Sequence, residues 1–187
     1  MKDIISKRFE GFSLIEISIV LLIIGIIAGG MLKGKDLVES AQIRSVVNDL
    51  QNVQTVFESY VNSYGALPGD DSSASEKFKN VANGDGNGEI SEEDSKKVFS
   101  HLFAAGLIDS KDFKNPKIGG KYDVVSENGD VKLRISNNGA PALNRKQVLS
   151  LIAKTKEVFG EHESIVTLDP EISENTSQKY TVKLKIR

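Results

Sequence analysis
A chain of 187 residues has room for one principal domain plus a terminal segment, and its formal net charge of −2 points to neither nucleic acid nor an acidic substrate as partner. It contains no cysteine, which excludes disulfides, thiol catalysis and zinc–thiolate sites together. Tryptophan is absent and aromatics make up only 6%, so any core must be mainly aliphatic.

The chain opens on a short charged leader, residues 1–11, followed by Gly11-Phe12-Ser13-Leu14-Ile15-Glu16 and an apolar run reaching Leu32. About 20 helical residues cross the roughly 30 Å of bilayer hydrocarbon, so residues 12–32 are expected to span a membrane. Glu16 stands near the start of that span. An acid at the edge of a bilayer costs roughly 2–3 kcal/mol, which marks it as functional and calls for a partner. Cutting the peptide bond between Gly11 and Phe12 would create one: a new α-amino group a few residues from Glu16. Lys2, Lys7 and Arg8 precede the span while Lys33, Lys35 and Arg44 follow it, so charge gives only a slight preference for a cytoplasmic N-terminus. A secretory signal peptide, cut near Ala28 or Gly30, is the competing reading. Glu16 within the apolar centre speaks against it, as does the helical pattern beyond Gly30.

Past the span, Leu37, Ala41, Val47, Leu50, Phe57, Val61 and Tyr64 recur at steps of three and four or their sums, with Val46, Val53 and Tyr60 alongside. Polar residues lie between them, so residues 33–64 read as the amphipathic half of the same helix. Without proline before Pro68, one helix of roughly 75–80 Å is expected over residues 12–64. Gly25, Gly29, Gly30 and Gly34 are its weak points, and Gly65 with Pro68-Gly69 ends it. Residues 65–187 are expected to form a globular head.

In the head, residues 73–82 suggest a short helix, and a glycine-rich acidic loop follows at residues 83–89. Residues 92–105 read as a helix stopped by Gly106. Residues 121–126 and 130–136 alternate around Asn128-Gly129, a strong hairpin signal. Residues 144–159 suggest another helix, and residues 164–168 and 180–187 two further strands. The expected fold class is α+β: a long N-terminal helix packed on a small antiparallel sheet of three or four strands, with extra short helices.

Leader, Gly11, Phe12, Glu16 fifth in the processed chain, and an apolar span continuing as an amphipathic helix together resemble the type IV prepilin family, which includes type II secretion pseudopilins. Tyr64-Gly65-Ala66-Leu67-Pro68-Gly69-Asp70 and His101-Leu102-Phe103-Ala104-Ala105-Gly106-Leu107-Ile108 are also similar to segments of pilin-like proteins. The resemblance implies cleavage after Gly11 by a membrane prepilin peptidase that also N-methylates Phe12. It implies an inner-membrane, single-pass subunit with its head in the periplasm, delivered by an assembly platform into a polymer of pilin-like subunits. Glu16 would then pair with the Phe12 ammonium of a neighbour and set axial register, since any other offset leaves both charges unpaired. Glu16 at headgroup level of a simple anchor is the alternative. Glycines replace the proline found in the N-terminal helix of many pilins, and no C-terminal disulfide can form. Both departures favour a pseudopilus-like or minor subunit over a long adhesive fibre.

The loop at residues 83–94 fits the calcium template D-x-[DN]-x-[DN]-G-x₅-E with Asn83, Asp85 and Asn87 as side-chain ligands, Gly88 at the turn, Glu89 through its carbonyl, Ser91 through water and Asp94 closing the loop. Only two carboxylates stand at ligand positions, so a Ca²⁺ site here is expected to be weak, at roughly 10⁻⁴–10⁻³ M. A solvated turn that caps the next helix is the plainer reading. Lys132, Arg134, Lys183, Lys185 and Arg187 alternate with apolar residues and would gather on one sheet face. No aromatics interleave with them, so a solvated face is favoured over nucleic-acid binding. His101 and His162 have no nucleophile motif beside them, and no phosphate loop is present, so no enzyme is expected. Two further readings stay open: an unpolymerised, signal-anchored calcium-binding envelope protein, and a DNA-binding competence pilin.

Overall fold
A computed structural model describes residues 11–110, 113, 115–160, 166–169 and 178–186, with Leu32 seen by its backbone alone. Residues 1–10 of the expected leader, residues 164 and 165 of an expected strand, His162 and Arg187 lie outside the described residues. The chain divides into two compact units, one ending at Glu39 and the other beginning at Ser40.

A single helix, α1 (Leu14–Tyr64), runs through both units. In the first unit its apolar side chains, from Leu14 to Met31, are exposed. In the second, one stripe is buried: Ile43, Val46, Val47, Leu50, Val53, Val56, Phe57 and Tyr60 follow one another at steps of one and three. That stripe begins at Ile43, because Leu37 and Ala41 face outward. Gly65, at φ 71°, ends the helix with its amide donating to the Val61 carbonyl at 2.8 Å.

Two capping boxes fix the starts of shorter helices. In α3 (Glu92–Ala104), Ser91 accepts from the Asp94 amide while the Asp94 carboxylate accepts from the Ser91 amide. In α4 (Arg145–Phe159), Asn144 and Gln147 exchange the same pair of bonds. Each box satisfies two backbone donors that a helix start leaves open. The short helix expected over residues 73–82 forms only as α2 (Ala74–Lys77). Phe78 turns to extended backbone there, and its ring lies 5.1 Å from that of Tyr64 and 6.2 Å from that of Tyr60.

The hairpin pairs β1 (Lys121–Glu127) with β2 (Asp130–Ser136) in full register from Lys121↔Ser136 to Glu127↔Asp130. Asn128 and Gly129 both hold positive φ, 55° and 80°, as a two-residue type I′ turn requires. The C-terminal strand β5 (Lys179–Lys185) lies antiparallel to β2. On its other edge β5 takes β3 (Leu143–Asn144) at residues 179 and 180 and β4 (Val166–Asp169) at residues 181–184. Among the described residues the sheet therefore has five strands, one more than the upper expectation, because the residues just before α4 pair with the start of β5.

Alternation puts Tyr122 and Val124, Val131, Leu133 and Ile135, and Tyr180, Val182 and Leu184 on one sheet face, in one core with the buried stripe of α1. Polar bonds fix the same docking: the Tyr122 hydroxyl donates to Asp49 at 2.9 Å, and the Gln54 amide donates to the Lys185 carbonyl at 3.2 Å. Val98 and Leu102 of α3 and Val148 and Leu151 of α4 complete the core. The fold is α+β, a long N-terminal helix on a small antiparallel sheet with short helices.

Phe57, with no exposed surface, sits at the middle of this core. Phe57→Ala is expected to cost about 3–5 kcal/mol, read as a lowered urea midpoint of the head. A loss below about 1 kcal/mol would show that the α1 stripe is not the spine of the core.

Candidate functional site
Three groups of residues carry chemistry. The first is the N-terminal motif. Ser13 accepts from the Ile15 amide at 3.3 Å, and its own amide donates to Glu16 Oε2 at 2.7 Å. Glu16 thus makes one half of the capping-box pair that the S-x-x-E spacing encodes, while Ser13 takes the Ile15 amide rather than that of Glu16. The expectation for Glu16 overlooked this local role, although the spacing alone signals it. Phe12 is exposed beside it, as is Gly11. Within the first unit, a Cβ added at Gly25, Gly29, Gly30 or Gly34 would meet nothing, so no packing inside the chain demands glycine at any of the four.

The second group lies around the glycine-rich loop of the head. Asp70, Asp85 and Asp94 each offer a carboxylate oxygen, and the three lie within 4.8 Å of one another. Two of the six expected calcium ligands, Asp85 and Asp94, are therefore brought together. Asn83 instead accepts from the Ser75 amide at 2.7 Å, and Asn87 accepts from the Glu89 amide at 2.7 Å. Ser91 is spent on the cap of α3, and Glu89 is exposed. Asp70, which lies outside the template, closes the group: its carboxylate accepts from the Asn87 amide at 3.0 Å and the Gly88 amide at 2.8 Å.

This wrapping depends on glycine at position 84. A Cβ there would fall 2.2 Å from the Asp70 backbone, and the Gly84 amide donates to the Asp71 carbonyl at 2.9 Å. A cleft of about 460 Å³, lined by Val61, Leu67, Asp70, Gly86 and Gly88 among others, opens beside Asp70. Burial raises the Asp70 carboxyl above the usual carboxylate range; the Gly88 amide opposes this and the hydrogen bond with Asp85 reinforces it. Two ionised carboxylates in hydrogen-bonding reach repel one another. Burial also works against ionising Asp94, but its Ser91 and Lys97 bonds outweigh this and lower it, with Lys97 Nζ at 3.0 Å. The donor set is all oxygen, as a hard divalent cation requires.

Beside this group, buried Asp71 accepts from Tyr60 at 2.9 Å and from Lys77 at 2.7 Å, and also from Ser73. Burial opposes its charge, yet Lys77, Ser73 and Tyr60 together hold the carboxyl at about 2. The Tyr60 hydroxyl is pushed well above its ordinary value by burial and then by Asp71.

The third group is the cationic sheet face. Register sets Lys132 opposite Lys185 and Arg134 opposite Lys183, all away from the core. Each of these four meets an acid. Glu127 takes Lys132 at 3.1 Å and Lys183 at 2.8 Å, and Asp130 takes Lys185 at 2.7 Å. Arg134 grips Glu92 through two nitrogens, at 2.6 and 2.9 Å, with Asp123 at 3.5 Å. A nucleic-acid phosphate would have to displace these carboxylates. The alternation of cations is legible in the sequence; their acidic partners come from other elements and are not.

Residues 6–32 match the family model of the prokaryotic N-terminal methylation motif. None of the curated proteins matches the chain. Among solved structures, the chain is similar to that of the major type IV pilin PilA1 from Clostridium difficile, with a TM-score of 0.46 and 17% identity, over 80% of this chain and 96% of that one.

Because the Asp71 carboxyl lies at about 2 in the folded chain and near 3.9 unfolded, the stability it adds is complete above pH 4 and lost as pH falls from 4 towards 2. Urea midpoints measured from pH 5 to pH 2.5 should therefore fall more steeply in the wild type than in Asp71→Asn; parallel curves would contradict the assignment.

Proposed function
We propose that this chain, bearing the methylation motif over residues 6–32, is a subunit of a type IV pilus or type II secretion pseudopilus, anchored in the inner membrane by residues 12–32 with its head, residues 65–187, in the periplasm. A prepilin peptidase cuts after Gly11 and methylates Phe12, and an assembly platform then passes the subunit into a helical polymer. The observation that carries this reading is the first unit: α1 exposes its apolar side chains from Leu14 to Met31, within the residues that match the methylation motif. Such a surface requires lipid or other apolar helices. The four glycines with open space around them fit close approach by other copies. In the polymer the Phe12 ammonium of a neighbour pairs with Glu16, whose Ser13 bond occupies one carboxylate oxygen and leaves Oε1 for that contact.

Mass spectrometry of the protein from membranes should find a mature N-terminus at Phe12 carrying one N-methyl group. A chain beginning at Met1 or at Met31 would exclude the proposal.

A second reading concerns the head and rests on the convergence of Asp70, Asp85 and Asp94. These carboxylates form a weak Ca²⁺ site that ties residues 83–94 to the segment after α1, with Asp70 in the place that the loop template gave to Asn83. Calcium in the millimolar range should raise the thermal midpoint of the wild type, with no rise in Asp85→Ala or in Asp70→Asn. An unshifted wild type would remove calcium from the account; a rise retained in Asp70→Asn would return the site to the loop alone.

A further inference from the structure
His101, on α3, has no exposed surface and makes two bonds, both to main chain. Its Nδ1 accepts from the Gly69 amide at 3.0 Å, and its Nε2 meets the Ala82 carbonyl at 2.8 Å. These partners fix the ring's state. An amide can only donate, so Nδ1 carries no proton; a carbonyl can only accept, so Nε2 carries one. The ring is neutral, and it bolts both ends of the segment from Gly69 to Ala82, α2 included, onto α3.

Protonating Nδ1 would set an N–H against the Gly69 N–H inside an enclosed site. The surrounding charges cannot absorb it as they stand. Asp71, from the segment itself, is occupied by Lys77, Ser73 and Tyr60. Asp94, two turns earlier on α3, is occupied by Ser91 and Lys97. Lys97 adds a like charge, and the Tyr60 ring from α1 lies 6.2 Å from the imidazole. Gly69 has no slack either, since a Cβ there would fall 2.7 Å from both the Asp94 carbonyl oxygen and the Val98 side chain.

We propose that His101 is an acid-sensitive clasp: neutral, it holds the Gly69–Ala82 segment against α3, and protonated, it releases that segment while the core of α1 and sheet stays folded. Burial first, and then the nearby Lys97, hold the imidazole below its ordinary value, against the pull of the Ala82 carbonyl, Asp71 and Asp94. The folded value lies under the open-state value of about 6.5, so the clasp is fully closed above that pH and loses strength as pH falls through the folded value. Between the two values its closing equilibrium weakens about tenfold per pH unit.

Nuclear magnetic resonance on the full chain in detergent micelles tests this, with His162→Gln leaving His101 as the one imidazole. The nitrogen shifts should report a neutral ring protonated on Nε2, titrating below the open-state value of about 6.5. Protection of the Gly69 amide, corrected for the intrinsic pH dependence of exchange, should drop in step with that titration, while protection of Leu133 in β2 does not. Adding His101→Gln should remove the step. Titration at or above 6.5 would overturn the proposal, as would protection at Gly69 that ignores it or a parallel loss at Leu133. A step that survives in His101→Gln would assign the effect to Asp70 and overturn it equally.

Discussion
Everything in this protein hangs on a helix with two incompatible surfaces. From Ile43 to Tyr60 α1 presents one apolar stripe, and the whole core of the head is assembled on it. From Leu14 to Met31 its apolar side chains are exposed, and no described residue of the first unit covers them. Apolar surface left in water costs about 25 cal/mol per Å², so a chain exposing a dozen large aliphatic side chains in succession has no stable existence free in solution. The first surface makes the head a self-sufficient fold; the second obliges the helix to find lipid or other helices. The proposed subunit would meet that obligation twice, in lipid and then among its own kind.

The polar chemistry of the head obeys a related rule: buried charge is tolerated only where every group has a partner. Asp71 is enclosed because Lys77, Ser73 and Tyr60 satisfy it, and Asp94 because its capping box and Lys97 do. On the outer sheet face, Glu127, Asp130 and Glu92 neutralise cations that would otherwise repel one another across the β2–β5 pair. Asp70 is the strained case: burial first, and then its hydrogen bond with Asp85, lift its carboxyl although the Gly88 and Asn87 amides donate to it. A cation would relieve the repulsion between these two carboxylates, which is why the two aspartates rather than the asparagines carry the argument for calcium.

What was legible in the sequence was what is encoded locally. The hairpin followed from Asn128-Gly129, α3 and α4 from periodic apolar residues, and β5 from the alternation of its last residues. α1 was legible because no proline or turn interrupts it between Leu14 and Tyr64. The Ser13–Glu16 contact is equally local, encoded in the S-x-x-E spacing. Partnerships across distant segments were out of reach. Asp70 reaches Asp85 only because Gly84 lets the two loops touch, and the acids on the cationic face come from three different elements. The calcium template placed Asn83 and Asn87 as ligands by spacing alone, whereas Asn83 accepts from the Ser75 amide of α2 and Asn87 closes a local turn on Glu89. His101 has no nucleophile motif beside it, and nothing in its neighbourhood on α3 announces that its two partners lie before the helix, at Gly69 and Ala82.

The absence of native cysteine opens a direct test of the claim that residues 12–32 sit in a membrane. Single cysteines placed at Ile19, Ile23 and Ile27, at Leu37, and at Gln51 can each be challenged with a membrane-impermeant maleimide in intact membrane vesicles and again after detergent disruption. The account predicts that positions 19, 23 and 27 stay unlabelled in vesicles while 37 and 51 react wherever the reagent reaches the periplasmic side. Equal labelling at all five positions in intact vesicles would contradict it.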